Sequence, residues 1–330
     1  MFSETFGGYE ATGVHTAFID LVELLREKDD VSVVCNNDGW GDIFHSHTYG
    51  PLYWWKGRRY KGKRVFTAHI IPDSAIGTVP FLKQFHPFLT WYLRKVYAYA
   101  DVCIAISPMV EDAIKSLTSK PKVVRIPNPV PVERWKYSDE KRKKGRALLG
   151  LSETDFVVLG VGQLQGRKGV DDFIDIATAI PEAKFVWAGG RPFGAFTEGV
   201  ARIDQRIASA PKHVNFAGTF PMEDMINIYS AADMMLFPSY QENCPLAPLE
   251  ATACGMPVVY RNLKEYETLF ENPYLHVNNN EEYIAITKKL MSDTAYFEEA
   301  KNISKKLITQ FDKDEIQKKY MELYMELCNK

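Results

Sequence analysis

Two glutamates with seven residues between them stand out as a pair that could do chemistry together. They are Glu242 and Glu250, in the stretch Pro238-Ser239-Tyr240-Gln241-Glu242-Asn243-Cys244-Pro245-Leu246-Ala247-Pro248-Leu249-Glu250, which runs on through Cys254-Gly255-Met256-Pro257. An apolar run ends at Phe237, and a helix is expected from near Pro245 to near Cys254, stopped by Gly255 and Pro257. Pro245 and Pro248 suit only a first helical turn, whose N–H groups have no partners within the helix. Glu242 then lies in the loop ahead of a helix N-terminus, and Glu250 about two turns inward. Two readings are open. Glu242 is a loop acid favoured by the helix dipole and Glu250 a surface residue. Alternatively, the helix N-terminus faces an anionic ligand while two carboxylates grip hydroxyls.

A second group has the opposite charge. Gly160-Val161-Gly162-Gln163-Leu164-Gln165-Gly166-Arg167-Lys168-Gly169 follows a strand pattern and opens a helix pattern. Glycines with two adjacent cations suit a diphosphate. A solvated loop carrying two surface cations is the plainer alternative. The stretch lacks the G-K-[ST] ending of a P-loop, and it is not a G-x-G-x-x-G fingerprint with its acidic ribose ligand.

The elements that must carry these groups alternate regularly. Phe156–Gly162, Lys184–Gly190, Val214–Gly218, Asp233–Pro238 and Pro257–Tyr260 are short apolar runs, several ending in glycine, with helical segments such as Val170–Ile180 between them. That alternation predicts a parallel sheet covered on both faces, with ligands beyond the strands' carboxyl ends. The first half is less regular. A helix is expected from about Val14 to Glu27, strands at Val31–Cys35, Ile43–His45, Arg64–His69 and Asp101–Ile106, and helices around Pro80–Tyr99 and Pro108–Ser116. Only Met1–Ser3 precede the first turn, so the first strand is shortened. Ile126-Pro127-Asn128-Pro129-Val130-Pro131 reads as a stiff hinge. A lysine-rich helix, Ser138 to Leu149, follows it, and three helical segments close the chain from Asn280 to Cys328. The expected domains are 1–130 and 131–310, with 311–330 returning to the first.

Length and composition agree with this division. At 330 residues the chain is too long for one ordinary core, and 46% hydrophobic with 25% charged residues is a globular balance. A net charge of −2 argues against a general nucleic-acid binder. Five cysteines, an odd number without C-x-x-C spacing, argue against a disulfide framework or zinc site and for a reducing compartment. No signal peptide is expected, and the most apolar region, 81–100, is interrupted by charges.

Taken together, the two motifs resemble the retaining glycosyltransferases of the GT-B fold, family 4. Glu242-x7-Glu250 is similar to that family's E-x7-E signature, and Pro238-Ser239, Leu249-Glu250-Ala251, Gly255-Met256-Pro257-Val258 and Ile126-Pro127-Asn128 are similar to its flanking pattern. The resemblance implies an α/β chain of two Rossmann-like domains facing each other across a cleft. It implies that Glu242 binds hydroxyls of a donor sugar and Glu250 the nucleotide ribose. Lys168 and Arg167 would clamp the diphosphate, with backbone donors at Leu246 and Ala247 and a close approach at Gly13. His69 would lie near the sugar, and Gly218 and Thr219 near the base. Glu242, Lys168 and His69 are thus the catalytic candidates. Gln163 stands where many members have Arg, and Pro245 where many have Gly. The implied donor is a nucleoside-diphosphate sugar such as UDP-glucose or UDP-galactose. No metal site and no cofactor are expected.

The acceptor side is suggested by local charge. Residues 43–100 hold nine Lys/Arg and one acid, Asp73, among many aromatics. Trp54, Trp55, Lys56, Arg58, Arg59 and Lys61, with Trp91, Arg94 and Lys95, predict a face for an anionic membrane. The plainer alternative is a solvated charged loop beside a core helix. The stretch 238–270 also resembles the bacterial subgroup that glycosylates diacylglycerol or glycosyl-diacylglycerol. The expectation is a cytoplasmic enzyme, peripheral on the inner face of the membrane, acting on a lipid or glycan acceptor and not on nucleic acid. Lipopolysaccharide, capsule or exopolysaccharide synthesis is the alternative within the class. A UDP-sugar epimerase and a membrane-binding scaffold are the alternatives outside it.

Overall fold

The computed structural model describes residues 1–4, 13–36, 41–75, 84–191 and 199–329. They fall into two compact units. Those up to Val130, together with those from Phe311 onward, form the first, and those of Pro131–Gln310 the second.

In the first unit α1 (Gly13–Arg26) is followed by β1 (Ile43–Ser46), α2 (Pro51–Arg59), β2 (Lys63–Ala68), α3 (His86–Tyr99), β3 (Val102–Ala105), α4 (Pro108–Leu117) and β4 (Lys122–Arg125). The four strands form a parallel sheet in the order β1-β2-β3-β4. Burial of Val65, Val102 and Ile104 against Leu21, Leu24 and Leu25 of α1 makes its core. The last helix of the chain, Lys313–Cys328, closes that core with Ile316, Tyr320, Leu323 and Leu327. It is tied there by Gln317 Nε2 donating to Leu24 O at 2.5 Å and by a Lys313–Glu27 ion pair at 3.0 Å.

The second unit runs through α5 (Asp139–Leu149), β5 (Val157–Val161), α6 (Val170–Thr178), β6 (Lys184–Ala188), α7 (Val200–Ala208), β7 (Val214–Gly218), α8 (Met222–Ala231), β8 (Met234–Phe237), α9 (Leu246–Ala253), β9 (Val258–Arg261), α10 (Lys264–Leu269), β10 (Leu275–Val277), α11 (Asn280–Ser292) and α12 (Thr294–Ile308). The final helix is α13. Six parallel strands lie in the order β10-β9-β8-β5-β6-β7. Residues in β5, β6 and β8 are almost wholly buried, as a sheet covered on both faces requires. Capping follows the sequence. Ser138, Asn279 and Asp293 each accept a backbone N–H in the first turn of α5, α11 and α12, and Gly150 ends α5 in the left-handed region.

Several expectations need correction. Val31–Cys35 joins no ladder among the described residues, and Phe2 makes an isolated bridge with Ser46. The 31–36 segment is held by the Met1 amino group donating to Val34 O and by Asn36 N donating to Met1 O. The basic aromatic stretch after Gly50 is a helix, α2, and β4 and β10 are additional short strands. The helix expected from Pro80 begins at His86, and its expected residues 80–83 lie outside the described ones.

Candidate active site

The second unit brings the two sequence motifs together because β5 and β8 are neighbours in the sheet. The loop leaving β5 and the loop leaving β8 therefore emerge side by side at the strands' carboxyl ends. Glycines make the β5 exit possible. Gly162 and Gly189 have φ near +150°, and a Cβ on Gly189 would lie 1.9 Å from Gly162 O. A single turn of 3-10 helix then carries Arg167 and Lys168.

Lys168 Nζ is ion-paired to Glu242 Oε1, which also accepts from Ser239 Oγ at 2.6 Å. Ser239 is fully buried and Glu242 nearly so. Burial pulls the Lys168 ammonium below its ordinary pKa, while Glu242 pulls it back up. Arg167 Nη1 donates to Gln241 O at 3.3 Å, and Tyr240 N donates to Arg167 O at 2.8 Å. The two loops are thus stitched through backbone and side chain alike. Behind them Arg261, at the end of β9, donates to Pro238 O at 3.1 Å and stacks 4.0 Å from the Tyr240 ring. It also pairs with Asp172 at 3.3 Å.

Beyond Glu242 the chain enters α9. Its N-cap is Pro245 and no side chain caps it, so the first-turn N–H groups of Leu246 and Ala247 keep their capacity for an acceptor. Glu250, on the same helix, is buried, which corrects the surface reading of that residue. Its Oε2 accepts from Tyr229 OH of α8 at 2.6 Å. Burial first, and the adjacent carboxylate second, drive the Tyr229 phenol well above its ordinary pKa. The phenol therefore remains a donor. Gly218 ends β7 with φ +78°, its carbonyl accepting from Gly189 N at 2.7 Å, and Thr219 follows it.

The first unit holds the remaining candidates. Gly13 is the first residue of α1, and a Cβ there would meet nothing within 4 Å. His69 follows the last residue of β2, and burial lowers its pKa to about 4. Its Nε2 lies 3.0 Å from His47 Nδ1. His47 and His45 are buried beside it.

The basic aromatic residues divide. Trp55, Arg58, Arg59, Lys61, Trp91, Arg94 and Lys95 are exposed, together with Phe85 and Phe88. Arg59 stacks 3.8 Å from the Trp55 ring, and Phe88 lies against Trp91 at 5.7 Å. Trp54 and Lys56 do not share that face. Trp54 Nε1 donates to Tyr92 OH at 3.2 Å and its ring packs on Tyr99, while Lys56 reaches back to Asn36 O and the Phe2 ring. No helix among the described residues is long and apolar enough to cross a membrane.

Sequence reasoning missed Tyr229 as the partner of Glu250 and His47 as the partner of His69, and quoted Ser239 without a role. Tyr229 lies 21 residues before Glu250, with no local signal to connect them.

Comparison with known proteins follows the same division. The model of the glycosyl transferases group 1 matches residues 141–309, and that of glycosyltransferase family 4 matches residues 40–134. Alpha-galactosylglucosyldiacylglycerol synthase of Streptococcus pneumoniae is 30% identical over 94% of this chain and 85% of its own. Processive diacylglycerol alpha-glucosyltransferase of Acholeplasma laidlawii is 31% identical over 64% of each chain. The crystal structure of Anabaena HepE in complex with UDP and glucose covers 99% of both chains with a TM-score of 0.78 at 20% identity, which shows a shared fold.

Proposed function

The chain belongs to the group 1 glycosyl transferases of family 4, with two parallel-sheet α/β domains of the GT-B fold, and from that premise we propose that it is a retaining hexosyltransferase of glycolipid synthesis. The donor in this proposal is UDP-glucose or UDP-galactose, and the acceptor is a diacylglycerol or glycosyl-diacylglycerol. The observation that carries the reading is the Lys168–Glu242–Ser239 cluster at the head of α9. The epimerase and scaffold alternatives fall with membership of the family.

In this mechanism negative charge grows on the diphosphate as the glycosidic bond lengthens. Lys168, Arg167 and the N–H groups of Leu246 and Ala247 stabilise that charge in a partly dehydrated setting. Glu242, oriented by Ser239, accepts from hydroxyls of the sugar, and Glu250, oriented by Tyr229, from the ribose. Gly218 and Thr219 border the base. His69 hydrogen-bonds a substrate hydroxyl, and Gly13 leaves room for a phosphate. The leaving phosphate oxygen takes the acceptor's proton on the face it departs from, so retention needs no second carboxylate flanking the bond. The positive groups are side chains, so EDTA is expected to leave the rate unchanged.

The names of the two diacylglycerol-acting relatives support the acceptor class. The exposed Trp55, Phe88 and Trp91 with Arg58, Arg59, Lys61, Arg94 and Lys95 support docking on an anionic membrane surface.

The test is a screen of purified protein with UDP-hexoses against diacylglycerol, glycosyl-diacylglycerol and lipopolysaccharide-type acceptors. The anomeric configuration of each product is read by NMR. Transfer to glycolipid with an α-linkage from an α-donor is expected. Transfer to none of the lipids, or inversion, would refute the reading. Binding to anionic vesicles should weaken with salt and on Trp91→Ala with Arg94→Ala. Salt-insensitive binding would return that face to an ordinary solvated surface.

A further inference from the structure

Three histidines gather at the carboxyl end of the first unit's sheet, and only His69 has a role in the mechanism above. β1 and β2 are paired in parallel with Ser46 opposite Phe66. His47 follows the last residue of β1 and His69 the last of β2, so both side chains emerge at adjacent strand ends. Their rings lie 5.1 Å apart at 31°, with Nδ1 of His47 3.0 Å from Nε2 of His69. The His45 ring lies 4.8 Å from that of His47, tilted by 36°, and Phe18 of α1 meets His47 edge-on at 5.4 Å. His47 is 2% exposed, and its Nε2 is buried with no hydrogen-bond partner among the described residues.

A neutral imidazole carries one N–H and one bare nitrogen, so the contact requires one ring to donate and the other to accept. Suppose His47 carried its proton on Nε2. A buried N–H would then face no acceptor, and His69 would have to donate from Nε2. With the proton on Nδ1, His47 donates to His69, and only a bare lone pair is buried at its Nε2. Orphaned buried donors are the rarer and costlier case. We infer that His47 is a positioning residue: its Nδ1–H donates to His69 Nε2 and thereby fixes His69 as the tautomer whose proton sits on Nδ1. The mechanism then has a hydrogen-bond donor at His69, suited to a hydroxyl oxygen, in place of an acceptor. His69 stays uncharged at neutral pH, because burial holds its pKa at about 4. It therefore offers a dipolar donor without placing a cation in the site. The activity part of this inference rests on the role proposed for His69. The tautomer does not.

The experiment has two arms on the full chain. In the first, long-range proton–nitrogen spectra of histidine-labelled protein are assigned with His47→Gln and His69→Gln. The expected result is protonation of Nδ1 in both rings. Protonation of His69 at Nε2 would overturn the inference whatever the activity. In the second arm, His47→Asn, whose amide N–H can stand where Nδ1–H stood, is compared with His47→Leu. Asn is expected to keep kcat within about threefold. Leu is expected to lower kcat about tenfold, the worth of one hydrogen bond, with donor KM within about twofold. Circular dichroism identifies a misfolded variant. If Leu unfolds the chain, Asn against wild type together with the spectra decides. Equal losses in folded Asn and Leu variants would overturn the positioning role. Full activity in His69→Gln with the expected spectra would instead remove His69 from the mechanism and leave the tautomer standing.

Discussion

Lys168 and Glu242 hold each other, and that pairing has consequences that each residue alone would not. The ammonium sits where burial disfavours charge, and the carboxylate restores part of what burial removes. A lysine whose pKa is lowered loses its charge as pH rises through that value, below the point where a free lysine would. Donor affinity should therefore fall on the alkaline side earlier than an ordinary lysine predicts. Lys168→Arg, which cannot deprotonate in that range, should move the alkaline limb of kcat/KM to higher pH. An unmoved limb would assign it to another group. Glu242→Gln removes the counter-charge and puts an amide N–H in place of one of the two acceptor oxygens, so kcat/KM should fall about 10²- to 10³-fold. Tyr229→Phe is subtler. It deletes one donor to Glu250 while keeping the ring, so nucleotide KM should rise about tenfold with kcat nearly unchanged. A fall in kcat at constant KM would mean that Glu250 acts in the chemistry and not on the ribose.

At the scale of elements, the positions of these side chains depend on backbone contacts as much as on the side chains themselves. Gly169 joins the Lys168 turn to α6 with φ +74°, and a Cβ there would stand 2.3 Å from Pro238 O. Gly169→Ala should thus push apart the loops that bear Lys168 and Glu242. It should cost about 2 kcal/mol or more in urea unfolding and most of the activity. Gly150→Ala is the control. It has a similar φ of +66° but open space around it, and it should cost about 1 kcal/mol and leave transfer intact. Equal effects of the two would show that backbone strain alone matters. The elements differ in how plainly they can be read beforehand. β5, β6, β8 and β9 are legible to within a residue or two, because strands buried on both faces are continuous apolar runs bounded by glycine and proline, and β7, a less buried edge strand, is marked by its closing Gly218. α2 is not, because it buries only Tyr53 and Gly57 and shows no apolar stripe. Its start depends on Glu4, whose carboxylate accepts from Gly50 N and Leu52 N at 2.6 and 2.9 Å. β4 is half-exposed at the sheet edge, so no apolar run marks it. Glu242 and Lys168 are visible as motifs. His47, Ser239 and Tyr229 acquire meaning only from strand neighbours and helix packing that lie far off in the chain.

At the scale of the molecule, the histidine cluster makes the first unit acid-sensitive in a way the second is not. His45, His47 and His69 all have pKa values lowered by burial, with the Met1 amino group and one another adding to the fall for His45 and His47. His45 is held by Thr67 at 2.7 Å and by Tyr324 of α13 at 2.6 Å, so the cluster is tied to the closing helix. In the unfolded chain these groups titrate near 6.5. Below that value the unfolded chain binds more protons than the folded one, so stability falls as pH drops. The loss begins near pH 6.5 and continues towards the lowered folded values. The shift of His69 to about 4 is worth on the order of 3 kcal/mol once pH reaches that point. The opposite sign, stability gained on acidification, would require raised values and is excluded by burial. Hydrogen exchange read by mass spectrometry at pH 7 and pH 5, corrected for intrinsic rates, separates the units in one sample. Peptides covering β1, β2 and α13 should lose protection at pH 5 while those of β5, β6 and β8 keep theirs. The difference should shrink in His45→Asn, which removes one titrating ring. Uniform loss across both sheets would place the acid sensitivity in carboxylate pairs and not in the histidines.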